Sequence, residues 1–319
     1  MVKIAIAGNT SLAYYCAEKL CRNGVPIDLV FLPHKESTDP YDAVDFSPLA
    51  GEFKFRQVWL PQTKDIIEMP AIDLLIKLEW PEKIIVPVVP RIAVLDTNLV
   101  GQYNQNHFFD IAAELFSGKS ELEVQLICPP NGTGLKSVIA NSRIAINMFD
   151  DVRSLKSKAA AILTEMVHKF SKDINGLMKI SSDGLRPHIF KTSIQRNINW
   201  HDDVISVHNL IRALTHPGPG AITELDGYRF YIWHGHLYDA SDNIYINAQP
   251  GTVLEVIEEL GVVVLTARGS FLVTRIQPAG APELPAWVWA SEFHVKAGDL
   301  FVTEQSAQSK SMSYETFQK

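Results

Sequence analysis

No run in this chain reaches the roughly 18 to 20 consecutive apolar residues that cross a bilayer, so no membrane-spanning helix is expected. Cysteine is scarce. Cys16, Cys21 and Cys128 have no C-x-x-C spacing, which removes both a disulfide framework and a zinc knuckle; they read as reduced, mostly buried thiols. Positive charge is in deficit, and the formal net charge of −7 takes away the electrostatic basis for coating nucleic acid. The first residues lack the basic leader and long apolar core of a signal peptide, so the cytoplasm is the expected compartment. Repeats and low-complexity tracts are missing too. What the chain does have is apolar substance, 46% of 319 residues, enough for one large domain or two ordinary ones.

Short apolar stretches alternate with amphipathic ones through the first half. "VKIAIAG" (2–8), "PIDLVFLP" (26–33), "AIDLLIKL" (71–78), "RIAVLD" (91–96) and "LEVQLICP" (122–129) read as strands. Helical spacing covers 10–23, 108–118 and about 152–170. Such alternation predicts a parallel sheet covered on both faces. After residue 200 a helix carrying Val204, Val207, Leu210, Ile211 and Leu214 ends at Pro217-Gly218-Pro219-Gly220. Short strands with glycine turns follow, which predicts a small antiparallel barrel or curled sheet. The expected division is an α/β domain over 1–180, a linker over 181–199, a β-rich domain over 200–305 and a loose polar tail over 306–319.

Local signals for cofactors are thin. The first turn, "GNTSLA" (8–13), has Thr10 and Ala13 where the dinucleotide fingerprint needs glycine, so Gly8 reads as a tight structural turn. "NGTG" (131–134) lacks the Lys-Ser or Lys-Thr continuation of a phosphate loop. "HGH" (234–236) puts two histidines on one strand face, with Asp239 and Asp242 only in the turn beyond; zinc takes four ligands, so a polar hairpin end is the reading. His188, His201, His208 and His216 read as interdomain or surface histidines, and Trp287 and Trp289 as pins for the C-terminal segment. No metal site is expected.

One segment stands out. In "RIAVLDTNLVGQYNQNH" (91–107) a buried strand, Ile92 to Leu95, is expected to run into a loop carrying Asp96, Thr97, Asn98, Asn104, Asn106 and His107. Loops at the carboxyl ends of parallel strands are where ligands sit.

The assembled pattern resembles the folate-dependent formyltransferases, in particular methionyl-tRNA formyltransferase and the nucleotide-sugar N-formyltransferases. The C-terminal match runs through "INW" (198–200), "HNLIRALTHPGPGA" (208–221), "QPGTVLEV" (249–256) and "GVVVLTARGSFLVTRIQPAG" (261–280). The N-terminal match runs from "KIAIAGNTSLAYYCAEKLCRNG" through "IDLLIKLEW" and "IAVLDTNLV" to "ELEVQLICPPNGTG". The resemblance implies a Rossmann-like N-terminal domain with a small OB-like barrel behind it, 10-formyltetrahydrofolate or another folate as cofactor, and an amine as acceptor.

Formyl transfer needs a donor for the tetrahedral oxyanion and a base for the amine proton. In the family these come from an Asn-x-His at a strand end and an Asp in an Asp-x-Gly turn. Carried over residue by residue, the Asn falls on Ala93, the His on Leu95 and the Asp on Gly132. The resemblance therefore implies that all three catalytic positions are replaced. Asp96 and His107 are candidate bases, Asn98 and Asn131 candidate donors, and Asn98, Asn104 and Asn131 candidate cofactor contacts. Asp and Asn at strand ends also commonly cap helices or close turns. The segment over 33–55, where the tRNA enzyme holds RNA with a basic insertion, has only His34, Lys35 and Lys54 among Glu36, Asp39, Asp42, Asp45 and Glu52. That points away from tRNA and toward a small amine or nucleotide-linked sugar. Three roles follow: a divergent formyltransferase-like enzyme, a catalytically silent binding or scaffold protein on the same shell, and, third, a methionyl-tRNA formyltransferase.

Overall fold

The computed structural model describes residues 2–34, 41–60, 71–80, 93–99, 109–128, 137–172, 194–239 and 248–303. The chain forms two compact units: Met1–Ile111 with Ser120–Thr192, and Ala112–Lys119 with Ser193–Lys319. The expected linker falls largely, and the expected tail wholly, outside the described residues.

The first unit is built on a sheet of order β3-β2-β1-β4-β5-β6-β7. Its strands are β1 (Ile4–Ala7), β2 (Leu29–Leu32), β3 (Arg56–Trp59), β4 (Leu74–Lys77), β5 (Ala93–Leu99), β6 (Glu121–Cys128) and β7 (Ser137–Ala145). From β3 to β5 the strands are parallel, and β6 and β7 are antiparallel. The expectation of a purely parallel sheet is corrected there. β1 and β2 are buried at every position, as strands covered on both faces must be. Ala5, Ala7, Leu29, Phe31, Leu75 and Trp80 make one core cluster.

Helix α1 (Ser11–Arg22) buries Leu12, Cys16 and Leu20 and stops where Gly24 takes a φ of +77°, a conformation that suits glycine. α2 spans Ser47–Phe53 and α3 Phe109–Phe116. α4 (Val152–Lys172) packs along α1 and over β6. The Cys16 thiol donates to the Ala160 carbonyl at 3.8 Å, and burial pushes it above the ordinary thiol range. It is an inert packing group.

The second unit carries α5 (Val204–Leu214), capped by Asp203 accepting from Ser206 N at 2.9 Å. A curled antiparallel sheet of order β10-β11-β12-β9-β8-β14 follows, with β13 on β12. Its strands are β8 (Ala221–Leu225), β9 (Tyr228–Tyr238), β10 (Val253–Ile257), β11 (Gly261–Leu265), β12 (Ser270–Pro278), β13 (Leu284–Pro285) and β14 (Phe301–Val302). Asp226 and Gly227, both at positive φ, form the two-residue turn that joins β8 to β9. Trp289 lies on a short helix, α6 (Ala286–Glu292), which the sequence pattern had not suggested. It is fully buried against Phe230 and Phe301. His208 is also buried, on the core side of α5 beside Phe271, which corrects its reading as an interdomain or surface residue. The apolar positions around it dictate that face.

Candidate functional site

The chain runs outward from β1 to β2 and β3, then returns to the other side of β1 as β4. That reversal makes the carboxyl ends of β1 and β4 the place where open α/β sheets receive ligands. Three segments meet there: the turn after β1, the exit of β4, and a bridge from Asp42.

The turn after β1 is tight because Gly8 has no side chain. A Cβ there would lie 2.6 Å from the Leu78 carbonyl and 2.7 Å from Ala13 Cβ. Thr10 follows as the N-cap of α1, with the Ala13 amide 3.5 Å from its hydroxyl. The first free amide of α1, Ser11 N, donates to Asp42 Oδ1 at 3.2 Å. A helix N-terminus is where a dinucleotide would place its pyrophosphate, and here the chain's own carboxylate takes that place.

Asp42 is answered by Lys156 from α4, whose Nζ is 2.5 Å from Oδ2. The same ammonium is 3.0 Å from the Glu79 carboxylate at the exit of β4. Thr10 Oγ1 donates to Glu79 Oε2 at 2.5 Å. Lys156, Asp42 and Glu79 are all buried, with Lys156 only 1% exposed. Lysine and glutamate are rarely buried unless paired. Burial alone would depress the Lys156 ammonium, but the Glu79 and Asp42 carboxylates outweigh it and hold it above the ordinary lysine range. Glu79 moves the other way from most paired acids. Its burial, with Asp42 adding, outweighs the pull of Lys156 and raises it above the usual carboxylate value. Glu79 also sits at a φ of +47°, a strained choice for a non-glycine residue that costs about 1 to 3 kcal/mol. Ser11 Oγ is buried beside this cluster and has no hydrogen-bond partner among the described residues.

From the sequence, Gly8 and Thr10 were named in the first turn and Asp42 in an acidic segment, but none of them, nor Glu79 or Lys156, was placed in a site. Asp42 and Glu79 lie 114 and 77 residues from Lys156, beyond any local pattern. The available signals were a lysine, Lys156, on the apolar stripe of α4 with Val152, Leu155, Ala159 and Leu163, and an acid, Glu79, just past β4.

The residues that were singled out fall differently. β5 continues through Leu99, so Asp96, Thr97 and Asn98 are strand residues and not the start of a loop. The reason is β6: its antiparallel pairing gives those positions a partner, with Asp96 opposite Ile127 and Asn98 opposite Gln125. On the other side Ala93 pairs with Leu74, Leu95 with Ile76 and Asp96 with Lys77. Leu95 is wholly buried. Asn104, His107, Asn131 and Gly132 lie outside the described residues, as does the "NGTG" turn.

The "HGH" histidines lie within β9. His234 Nδ1 is 3.1 Å from Thr274 Oγ1, and the two rings meet edge to face at 4.8 Å. Among the described residues no group of three or more His, Cys, Asp or Glu side chains is arranged to hold a metal, and no helix is long and apolar enough to cross a membrane. A cavity of about 250 Å³ beside β7 and α4, and one of about 410 Å³ lined by Trp200, His201, Gln249 and Phe301, lie within the first and second units. Neither is lined by a member of the ion cluster.

Residues 191–294 match the family described as "Formyl transferase, C-terminal domain". Methionyl-tRNA formyltransferase of Synechococcus elongatus is 32% identical over 113 residues, covering 32% of this chain and 34% of that protein. The matched stretch thus spans about a third of that relative, and from 28% to 58% among other curated relatives. Among solved structures, HypX from Aquifex aeolicus in complex with tetrahydrofolic acid superposes with a TM-score of 0.61 at 15% identity, covering 92% of this chain and 47% of HypX. The N-formyltransferase from Helicobacter canadensis, in complex with folinic acid and dTDP-3-aminofucose, gives 0.54 at 17% identity, covering 89% of this chain and all of that one. At such identities these two likenesses concern the fold.

Proposed function

We infer, for a chain that has the formyltransferase-superfamily fold and carries that superfamily's carboxyl-terminal domain over 191–294, a divergent role: binding a folate-type ligand and a small amine without the ordinary transfer residues. Relatives crystallised with tetrahydrofolic acid or folinic acid, one of them also with an amino sugar nucleotide, support the ligand class. The observation that carries the divergence is Leu95. It is fully buried in the strand core and has no polar atom to donate to an oxyanion or to accept a proton. Ala93 and Gly132, assigned to the other two family positions, offer none either. Residues of these kinds at the three positions that the resemblance assigns do not fit the ordinary transfer chemistry.

Replacement groups would have to come from Asp96, Asn98, Asn104, His107 or Asn131. Losing an oxyanion donor alone costs about 3 to 4 kcal/mol, so a substitute is required for turnover. The acidic balance of the chain and the poorly basic 33–55 segment favour a small acceptor, such as a nucleotide-linked amino sugar, over tRNA. The same buried Leu95 favours one second reading, a catalytically silent binding protein on this shell.

Titration calorimetry with 5-formyltetrahydrofolate tests the ligand class, and heat at micromolar ligand is the expected result. Absence of binding near millimolar ligand would end the folate reading. Where binding is found, formyl transfer from 10-formyltetrahydrofolate to an amino sugar nucleotide separates the two roles. Product lost in Asp96→Asn or His107→Ala marks an enzyme, and binding without product marks the silent homologue.

A further inference from the structure

We propose that Lys156 is a positioning residue for the strand-end site and works as an internal ammonium ligand, filling a cradle of Asp42, Glu79 and Thr10 that takes a small primary ammonium ion once the lysine side chain is shortened. The proposal is independent of whether a folate binds.

The cradle and the lysine that fills it come from four separate segments. Asp42 brings the bridge between β2 and α2, Thr10 the turn after β1, Glu79 the exit of β4, and Lys156 the flank of α4. Each acceptor has a second task. Asp42 holds Ser11 N at the start of α1 through its other oxygen, and Glu79 takes the Thr10 hydroxyl. One ammonium therefore ties the helix start to the strand exit. An ammonium presents three N–H donors and no acceptor, which matches a wall made of carboxylates. Replacing a buried ion pair with apolar side chains of similar volume is often neutral or stabilising. A buried lysine with two carboxylates is thus better explained by the geometry it imposes than by stability. The geometry imposed is that of Gly8–Ser11 against Leu78–Glu79, the pair of backbone segments that face the ligand end of the sheet. The neighbouring Cys16 thiol is raised by burial, with Glu79 adding, and remains neutral beside the cradle.

The chemistry also says what the crevice rejects. With Asp42 already at the amide of Ser11, a phosphate would meet a carboxylate in its place. The same cradle accepts a cation that has N–H donors.

The test uses the full chain with Lys156→Ala and amide hydrogen exchange at Ser11 and Leu78, whose N–H groups donate to Asp42 and to the Ala7 carbonyl. Exchange at both sites should accelerate about tenfold or more in the variant, as local opening follows the loss of a buried partner. Ethylammonium chloride should restore protection saturably. Tetramethylammonium chloride, with the same charge but no N–H, should not, and the native protein should respond to neither. A lysine that only fills space would leave these amides unchanged or be replaced equally well by both salts. Should Lys156→Ala fold only with ethylammonium, the proposal is supported; should it fail in both conditions, the proposal falls. Lys156→Met/Asp42→Asn, which removes the pair together, should fold and ignore ethylammonium. A response in that double variant equal to that of Lys156→Ala would overturn the assignment of the cradle to Asp42.

Discussion

His208 lies on the core side of α5 with its ring near Phe271. Burial, then the charges of Arg212, His236 and His234, push its imidazole down to about 4 from an ordinary value of 6.5. Between those values the unfolded chain binds a proton that the folded chain refuses, so stability falls as pH drops from about 6.5 toward 4. His208→Gln should lack this component. Denaturant unfolding of both proteins across that range reads it directly: the native protein should lose stability more steeply with acid. Parallel curves would mean that the ring is wetter than its packing indicates. At the same scale, Lys156 and Glu79 show why residue type alone misleads. Both are ordinary surface residues by composition, and both are buried because each supplies the other's counter-charge.

The elements meet most closely where the turn after β1 presses on β4. Gly8→Ala would force a methyl to within 2.6 Å of the Leu78 carbonyl, and backbone cannot swing aside as a side chain can. Overpacking of this kind costs about 1 to 3 kcal/mol, which should appear as a lower midpoint in urea with an unchanged slope. Most elements were legible beforehand because periodicity follows burial. β1 is apolar throughout since both its faces are covered, and α5 shows its stripe since one face is. β3 was not legible: "RQVW" is half exposed at the sheet edge and carries no apolar run. β7, "SVIANSRIA", was missed for the related reason that an edge strand needs little apolar substance. The end of β5 was misread because Asp96, Thr97 and Asn98 have loop chemistry, and only their antiparallel partner makes them a strand. Single members of the ion cluster left a trace in the sequence, but the cluster did not, since its members are brought together by topology and not by spacing.

For the whole molecule, a net charge of −7 and a 33–55 segment whose Lys35 and Lys54 are outnumbered by Glu36, Asp39, Asp42, Asp45 and Glu52 set the outcome with RNA. Initiator tRNA should show no salt-dependent complex between about 50 and 200 mM salt, where a protein neutralising several phosphates would lose affinity by orders of magnitude. A steep salt slope measured by filter binding would restore the tRNA reading. The buried ion cluster has another consequence, one of timing. Asp42 leaves the ribosome 114 residues ahead of Lys156, and Glu79 leaves 77 ahead. At about 5 to 20 residues per second the nascent β1–β4 region waits on the order of ten seconds with two carboxylates and no cation between them. Burying them in that interval is unfavourable, so the strand ends stay open until α4 emerges. Helix α4 is then the one whose arrival licenses the centre of that sheet to close, and a chain interrupted before Lys156 would be left holding an acidic, unfinished core.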